Sequence, residues 1–166
     1  FNEDRWKAEM ELIFGRVPLV LGFSTELQKP GDYKAMEVCG VPLILVRNRE
    51  GNVGGFVNMC SHRGAQILDE GKGRARSFAC PYHAWTYNHE GKLIGMYGEK
   101  TFGDINKEDF GLIELQCVER SGLVWVMLDP EETFNIDNWL GDFAPELETL
   151  NLTHWHIPVS YTHLTL

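Results

Sequence analysis

Four side chains of this sequence have the types and spacing of metal ligands. Cys60-Ser61-His62 and Cys80-Pro81-Tyr82-His83 read as C-x-H, seventeen residues, then C-x-x-H. A metal can be enclosed only where donors converge from at least two chain segments. Each segment here supplies one thiolate and one imidazole. The seventeen residues between them suffice for a strand and a turn that bring two loops face to face. Gly64 in the first loop and Pro81 in the second mark both stretches as irregular.

Two chemistries use these atoms. One is a structural zinc ion held by two Cys and two His, whose usual pairs are C-x2–4-C and H-x3–5-H; here each pair is mixed. The other is a [2Fe–2S] centre with two thiolates on one iron and two imidazoles on the other, the Rieske ligand set. For that centre a charge count sets the redox behaviour. Two ferric ions, two sulfides, two thiolates and two neutral imidazoles sum to zero, whereas four thiolates would leave a doubly negative cluster. A neutral cluster accepts an electron more easily, at roughly −150 to +300 mV against about −400 mV for plant-type clusters. Ferric iron is also expected to acidify the outer nitrogens of His62 and His83, coupling proton uptake to electron uptake.

Such loops need a rigid frame, and the sequence predicts a mostly β one. Asp4 to Phe14 carries Trp6, Met10, Ile13 and Phe14 on one helical stripe, with Asp4 able to cap it. After the turn Pro30-Gly31-Asp32 the pattern changes to short runs. Strands are predicted at Tyr33 to Val38, Val41 to Arg47 and Gly54 to Asn58, with turns at Cys39-Gly40 and Arg49 to Asn52. Gly71-Lys72-Gly73 reads as a turn before a strand at Arg74 to Ala79. Gly111 to Glu119 and Leu123 to Leu128 read as a closing hairpin, and Asn135 to Leu152, with Trp139, Leu140 and Phe143, as one or two short helices. The expected class is all-β, an antiparallel sandwich or partial barrel.

Composition narrows the partners. The 166 residues are 43% hydrophobic and 23% charged, a globular balance for one domain. No apolar run approaches the ~18 residues of a membrane helix. A net charge of −9 argues against nucleic acid. The charge is uneven: Arg47 to Arg76 holds six basic and three acidic residues, and Asp129 to Leu150 holds seven acidic residues and no basic one. The basic stretch could steer an acidic partner. Cys39 and Cys117 lie in strand-like segments and are expected to be buried free thiols.

Met59-Cys60-Ser61-His62-Arg63-Gly64-Ala65 and Cys80-Pro81-Tyr82-His83-Ala84-Trp85-Thr86-Tyr87 resemble the two cluster loops of Rieske non-haem iron oxygenases, the α subunits of bacterial aromatic-ring-hydroxylating dioxygenases and related enzymes. Pro30-Gly31-Asp32-Tyr33, Pro42 to Arg47 and Gly122 to Val126 resemble the family's N-terminal domain in order and spacing. The resemblance implies a Rieske-type antiparallel β-sandwich with two cluster-binding loops, a short N-terminal helix and a C-terminal helical segment. It implies a [2Fe–2S] cluster on Cys60, His62, Cys80 and His83. Around it, Arg63 would buttress a loop or meet an acid of the catalytic domain, Gly64 would permit a tight loop, and Pro81 would fix the second backbone. Tyr82 and Trp85 would shield the cluster from water. Respiratory Rieske proteins carry a further Cys in each loop, where this chain has Ala65 and Tyr82, and a Ser where it has Trp85. The missing hydroxyl donor points to the lower-potential class.

In the family, oxygen chemistry occurs at a mononuclear iron held by two His and a carboxylate in a C-terminal domain, expected to be absent here. His154 and His156 read as surface or packing residues. The implied division is residues 1–32 as helix and lead-in, 33–130 as the Rieske domain, 131–158 as linker and start of the catalytic domain. Residues 159–166, including His163, are expected to be adapter-derived. The implied role is one-electron transfer in a bacterial cytoplasmic oxygenase. Electrons would come from an NAD(P)H-dependent flavin reductase and/or ferredoxin, with His62 and His83 as an electron's way in or out. They would pass to the catalytic domain of a neighbouring α subunit in a trimer, with a possible β subunit, and the chain alone would hydroxylate nothing. A stand-alone Rieske ferredoxin and a zinc module remain the alternatives.

Overall fold

The structure, a computed structural model, describes residues 2–155. His156 and the segment 159–166, with His163, lie outside the described residues. In chain order the elements are α1 (Glu3–Glu9), β1 (Leu19–Phe23), β2 (Asp32–Val38), β3 (Val41–Arg47), β4 (Val53–Val57), β5 (Gly71–Arg74), β6 (Phe78–Ala79), β7 (Thr86–Tyr87), β8 (Leu93–Gly95), β9 (Glu114–Leu115), β10 (Cys117–Arg120), β11 (Leu123–Val126), α2 (Ile136–Leu140) and α3 (Phe143–Thr149). The strands form three antiparallel sheets, ordered β1-β11-β10, β5-β2-β3-β4-β9 and β6-β7-β8. The all-β antiparallel class expected from the sequence is what the chain adopts. No helix among the described residues is long and apolar enough to cross a membrane.

β3 divides the interior. Its residues Leu43, Ile44, Leu45 and Val46 are all fully buried, because successive side chains on a strand point to opposite faces and both faces are covered. Ile44 and Val46 pack with Cys60, Phe78, Cys80, Trp85 and Tyr87. Leu43 and Leu45 pack with Leu27, Val124 and Val126. The alternation repeats on β11, whose Leu123 and Trp125 turn away to pack with Ile136, Leu140 and Leu147 of the C-terminal helices. At the end of β3, buried Arg47 donates to Leu27 O (2.6 Å) and Gly51 O (2.6 Å) and grips the Glu119 carboxylate through both terminal nitrogens. This ties the five-stranded sheet to β10.

Several sequence expectations are corrected. The N-terminal stripe is not buried: Trp6 and Ile13 are about half exposed. α1 passes at Met10 into a π-helical turn, Met10–Phe14, which breaks the 3.6-residue period that would keep the stripe on one face. Its cap is Asn2, whose side chain accepts from Arg5 N (3.0 Å), rather than Asp4. Gly71-Lys72-Gly73 is strand β5 rather than a turn. It pairs with β2 because a Cβ on Gly73 would meet the Tyr33 phenol at 2.7 Å. The predicted Arg74 to Ala79 strand is divided, its two ends joining different sheets. Trp139 and Phe143 are exposed, while Leu140 is buried. Cys39 is an exposed free thiol, since it sits at the tip of the β2–β3 turn with φ 53°. Cys117 is half-buried and free; burial, with Glu119 beside it, pushes its thiol up to about 12.

Candidate metal centre

The two loops are built alike. Cys60 N–H donates to Ala65 O (2.8 Å) and Gly64 N–H to Cys60 O (2.8 Å); Cys80 N–H donates to Trp85 O (2.8 Å) and Ala84 N–H to Cys80 O (2.9 Å). In both, the fourth residue after the Cys is left-handed, with φ 70° at Gly64 and 54° at Ala84. For an L-residue such as Ala84 that conformation costs about 1–2 kcal/mol, held in place by the loop's own hydrogen bonds. The sequence thus supplies two copies of one tight loop that differ in where the His sits.

The loops meet at their imidazoles. The His62 and His83 rings lie 4.7 Å apart at 67°. Cys60 and Cys80 are almost fully buried, at 2% and 3% exposure, and both histidines are half-buried. The donor set is therefore graded, with sulfur inside and nitrogen towards the surface. His62 Nδ1 is buried with no hydrogen-bond partner, and so is Trp85 Nε1. Buried polar atoms are normally satisfied. A lone-pair nitrogen is satisfied by a metal, and an indole N–H by an acceptor such as sulfide. Burial lowers the His62 pKa, and the charges of His83 and Arg63 add to this. The ring is thereby kept in the neutral form that can ligate. A Rieske [2Fe–2S] unit takes two protein donors per iron, two thiolates on one and two imidazoles on the other. The residues present fit the diiron unit.

The surrounding side chains distribute as follows. Trp85 is buried and stacks flat on His62 (centroids 4.7 Å, 9°). Tyr82 lies over His83 at 3.8 Å but is 61% exposed. It therefore covers one imidazole face and does not seal the site, because it sits at the tip of its loop. Pro81, Gly64 and Arg63 are exposed, and Arg63 forms no ion pair among the described residues. His154 is exposed in a short 3-10 turn.

Residues not singled out from the sequence complete the site. Tyr87, fully buried, has its hydroxyl 3.2 Å from Cys60 Sγ and accepts from Ser61 N (3.1 Å). Burial and Cys60 push its pKa up to about 12. The phenol stays protonated, and a ligating thiolate at Cys60 could only accept from it. A hydroxyl donor is absent at position 85, as the sequence indicates, but one reaches the site from Tyr87 instead. Ser61 Oγ donates to Phe110 O (2.9 Å) and Gly111 O (2.7 Å). Phe102 presents an edge to both His62 and Trp85 (each 5.7 Å).

The Rieske [2Fe-2S] domain family matches residues 17–108. The chain is 32% identical over 142 residues to the benzene 1,2-dioxygenase α subunit of Pseudomonas putida, covering 85% of this chain and 31% of that one. It superposes on the naphthalene 1,2-dioxygenase of a Rhodococcus species with a TM-score of 0.84, 30% identity and coverage of 90% and 34%. It superposes on a quaternary ammonium Rieske monooxygenase solved with L-carnitine with a TM-score of 0.79, 29% identity and coverage of 86% and 40%. The chain spans about a third of the curated relatives it matches.

Proposed function

The chain belongs to the Rieske [2Fe-2S] domain family, and we propose that it is the electron-transfer part of an aromatic-ring-hydroxylating oxygenase α subunit. In this reading Cys60 and Cys80 hold one iron and His62 and His83 the other. The cluster, when bound, supplies a one-electron couple. The chain's residues do the rest. The buried thiols fix the inner end in a dry core. Trp85 and Tyr82 hold the two imidazoles in position. Tyr87 keeps a protonated donor on the Cys60 sulfur, and the half-exposed His62 and His83 form the face through which an electron reaches a partner. By the family resemblance, hydroxylation itself would take place at a mononuclear iron held by the part of the relatives that this chain does not match.

The observation that carries the reading is the orphaned, buried His62 Nδ1 set against His83 between two loops of identical hydrogen bonding. Reconstitution with ferrous iron and sulfide tests it. The expected product is coloured, holds iron and inorganic sulfide in equal amounts, and gives a reduced-state EPR signal. Its pulsed-EPR spectra show coupling to two nitrogens, one of which is lost in His62→Ala. A colourless product that binds one zinc and no sulfide overturns the reading.

A further inference from the structure

A second feature is lined by none of the metal-site residues. Pro30, Arg49, Arg74, Ala75, Arg76 and His89 line a cleft of about 420 Å³. It runs into a smaller depression that shares Arg49, Arg76 and His89 and has Glu50 and Glu90 at its rim. The floor is built. His89 is buried, with its Nε2 on Ala75 O at 2.9 Å. Arg74 is held by Asp32 (2.6 Å). Arg49 and Arg76 form no ion pair among the described residues. The cleft lining holds three arginines and no carboxylate, while Glu50 and Glu90 lie only in the adjoining depression; in a chain of net charge −9 that marks one place where an acidic surface is attracted. The acidic run from Asp129 to Glu148 repels the same surface elsewhere.

The cleft is also close to the thiols through the fold. The His89 ring packs on Phe78 at 5.8 Å. Phe78 is 1% exposed, lies two residues before Cys80, and shares the buried cluster of Cys60, Cys80, Trp85 and Tyr87. Phe78 thus links the cleft floor to the buried cluster that holds both thiols. The His62 and His83 imidazoles are half-buried, and neither lines the cleft.

We propose that the Arg49–Arg76 cleft is the docking surface for an acidic one-electron donor protein, so that electrons arrive at the cysteine end and depart from the histidine end. This rests on the electron-transfer reading above. The donor loses one electron and the cluster gains one; no bond forms or breaks. A separate input surface leaves the His62–His83 face available to an acceptor during reduction, which a single shared face does not.

The test uses the cluster-loaded chain and reduced plant-type [2Fe–2S] ferredoxin, an acidic donor. Binding of the oxidised ferredoxin is measured by calorimetry and cluster reduction by stopped flow. Arg49→Glu with Arg76→Glu is expected to weaken binding and slow protein-mediated reduction by at least about tenfold, and to flatten the ionic-strength dependence. The visible spectrum, the midpoint potential and the reduction rate with dithionite stay unchanged. Effects within about twofold of wild type, or an equal loss with Arg63→Glu beside His62, overturn the proposal. So does a salt-sensitive self-association, seen by sedimentation, that the double variant abolishes; the cleft would then receive the acidic run of a second copy. A chain that fails to load a cluster at all refutes the earlier reading and is recognised before any ferredoxin is added.

Discussion

At the scale of single residues, the site is tuned by what touches its sulfur. Tyr87 is fully buried, and its hydroxyl lies 3.2 Å from Cys60 Sγ. A donor to a ligand sulfur stabilises the reduced, more negative state more than the oxidised one, and hydrogen bonds to sulfur are among the determinants of cluster potential. Tyr87→Phe removes that donor and keeps the ring that fills the core. Losing about 1 kcal/mol of preferential stabilisation lowers a one-electron midpoint by roughly 40 mV. Redox titration followed by visible absorbance reads this directly. The expected result is a fall of that order with the cluster retained; an unchanged potential removes Tyr87 from the tuning network.

At the scale of elements, the C-terminal helices show which interactions hold a piece of chain in place. Arg120 on β10 pairs with Asp137 (2.9 Å) and with Glu148, carboxylates that are 67% and 52% exposed. Leu140 and Leu147 are buried against Leu123 and Trp125. Exposed ion pairs are worth about 0–1 kcal/mol, and a buried Leu→Ala costs about 2–5 kcal/mol. Leu140→Ala is therefore expected to destabilise by several times more than Arg120→Gln in urea unfolding, and to raise amide exchange across α2 and α3. Equal effects would mean the helices are held by charge. The same contrast explains what was legible in the sequence. β2, β3 and the β10–β11 hairpin announce themselves by alternation and turn residues. The four Cys and His ligand candidates stand out because their spacing has few other uses. Tyr87 does not, since an inward tyrosine reads as core until its hydroxyl is placed. Gly71 to Gly73 misleads because Gly73 serves close approach to Tyr33 rather than a turn. The N-terminal stripe misleads because periodicity shows that a face is apolar and leaves open what, if anything, covers it.

At the scale of the whole molecule, the ion pairs that matter are those closing the sheet beside the site. Glu26, whose side chain is 5% exposed, holds Lys34 of β2 (3.3 Å) and Lys72 of β5 and accepts from Phe23 N (2.8 Å). Asp32 holds Arg74 of β5. Burial alone would raise both carboxyl pKa values. For Glu26, Lys72, the Phe23 amide and Lys34 outweigh it; for Asp32, Arg74 and the Lys29 amide do. Both groups finish below their ordinary values of 4.5 and 3.8. A carboxyl depressed in the folded chain contributes stability in full above its unfolded pKa, and that stability is lost as pH falls through the folded value. The β5 edge, and with it the segment leading to Cys80, is thus expected to loosen in acid, starting below about pH 4.5. Glu26→Gln keeps the shape and removes the charge paired with Lys34 and Lys72, leaving Lys34 on Leu21 O (2.9 Å). At neutral pH it should cost about 2 kcal/mol. Below about pH 4 the gap to wild type should narrow, since the native carboxyl is then being protonated as well. Urea unfolding at a series of pH values measures both limbs. A gap that stays constant into acid would show that Glu26 acts by packing, and the linkage between this carboxylate and the edge of the sheet would be wrong.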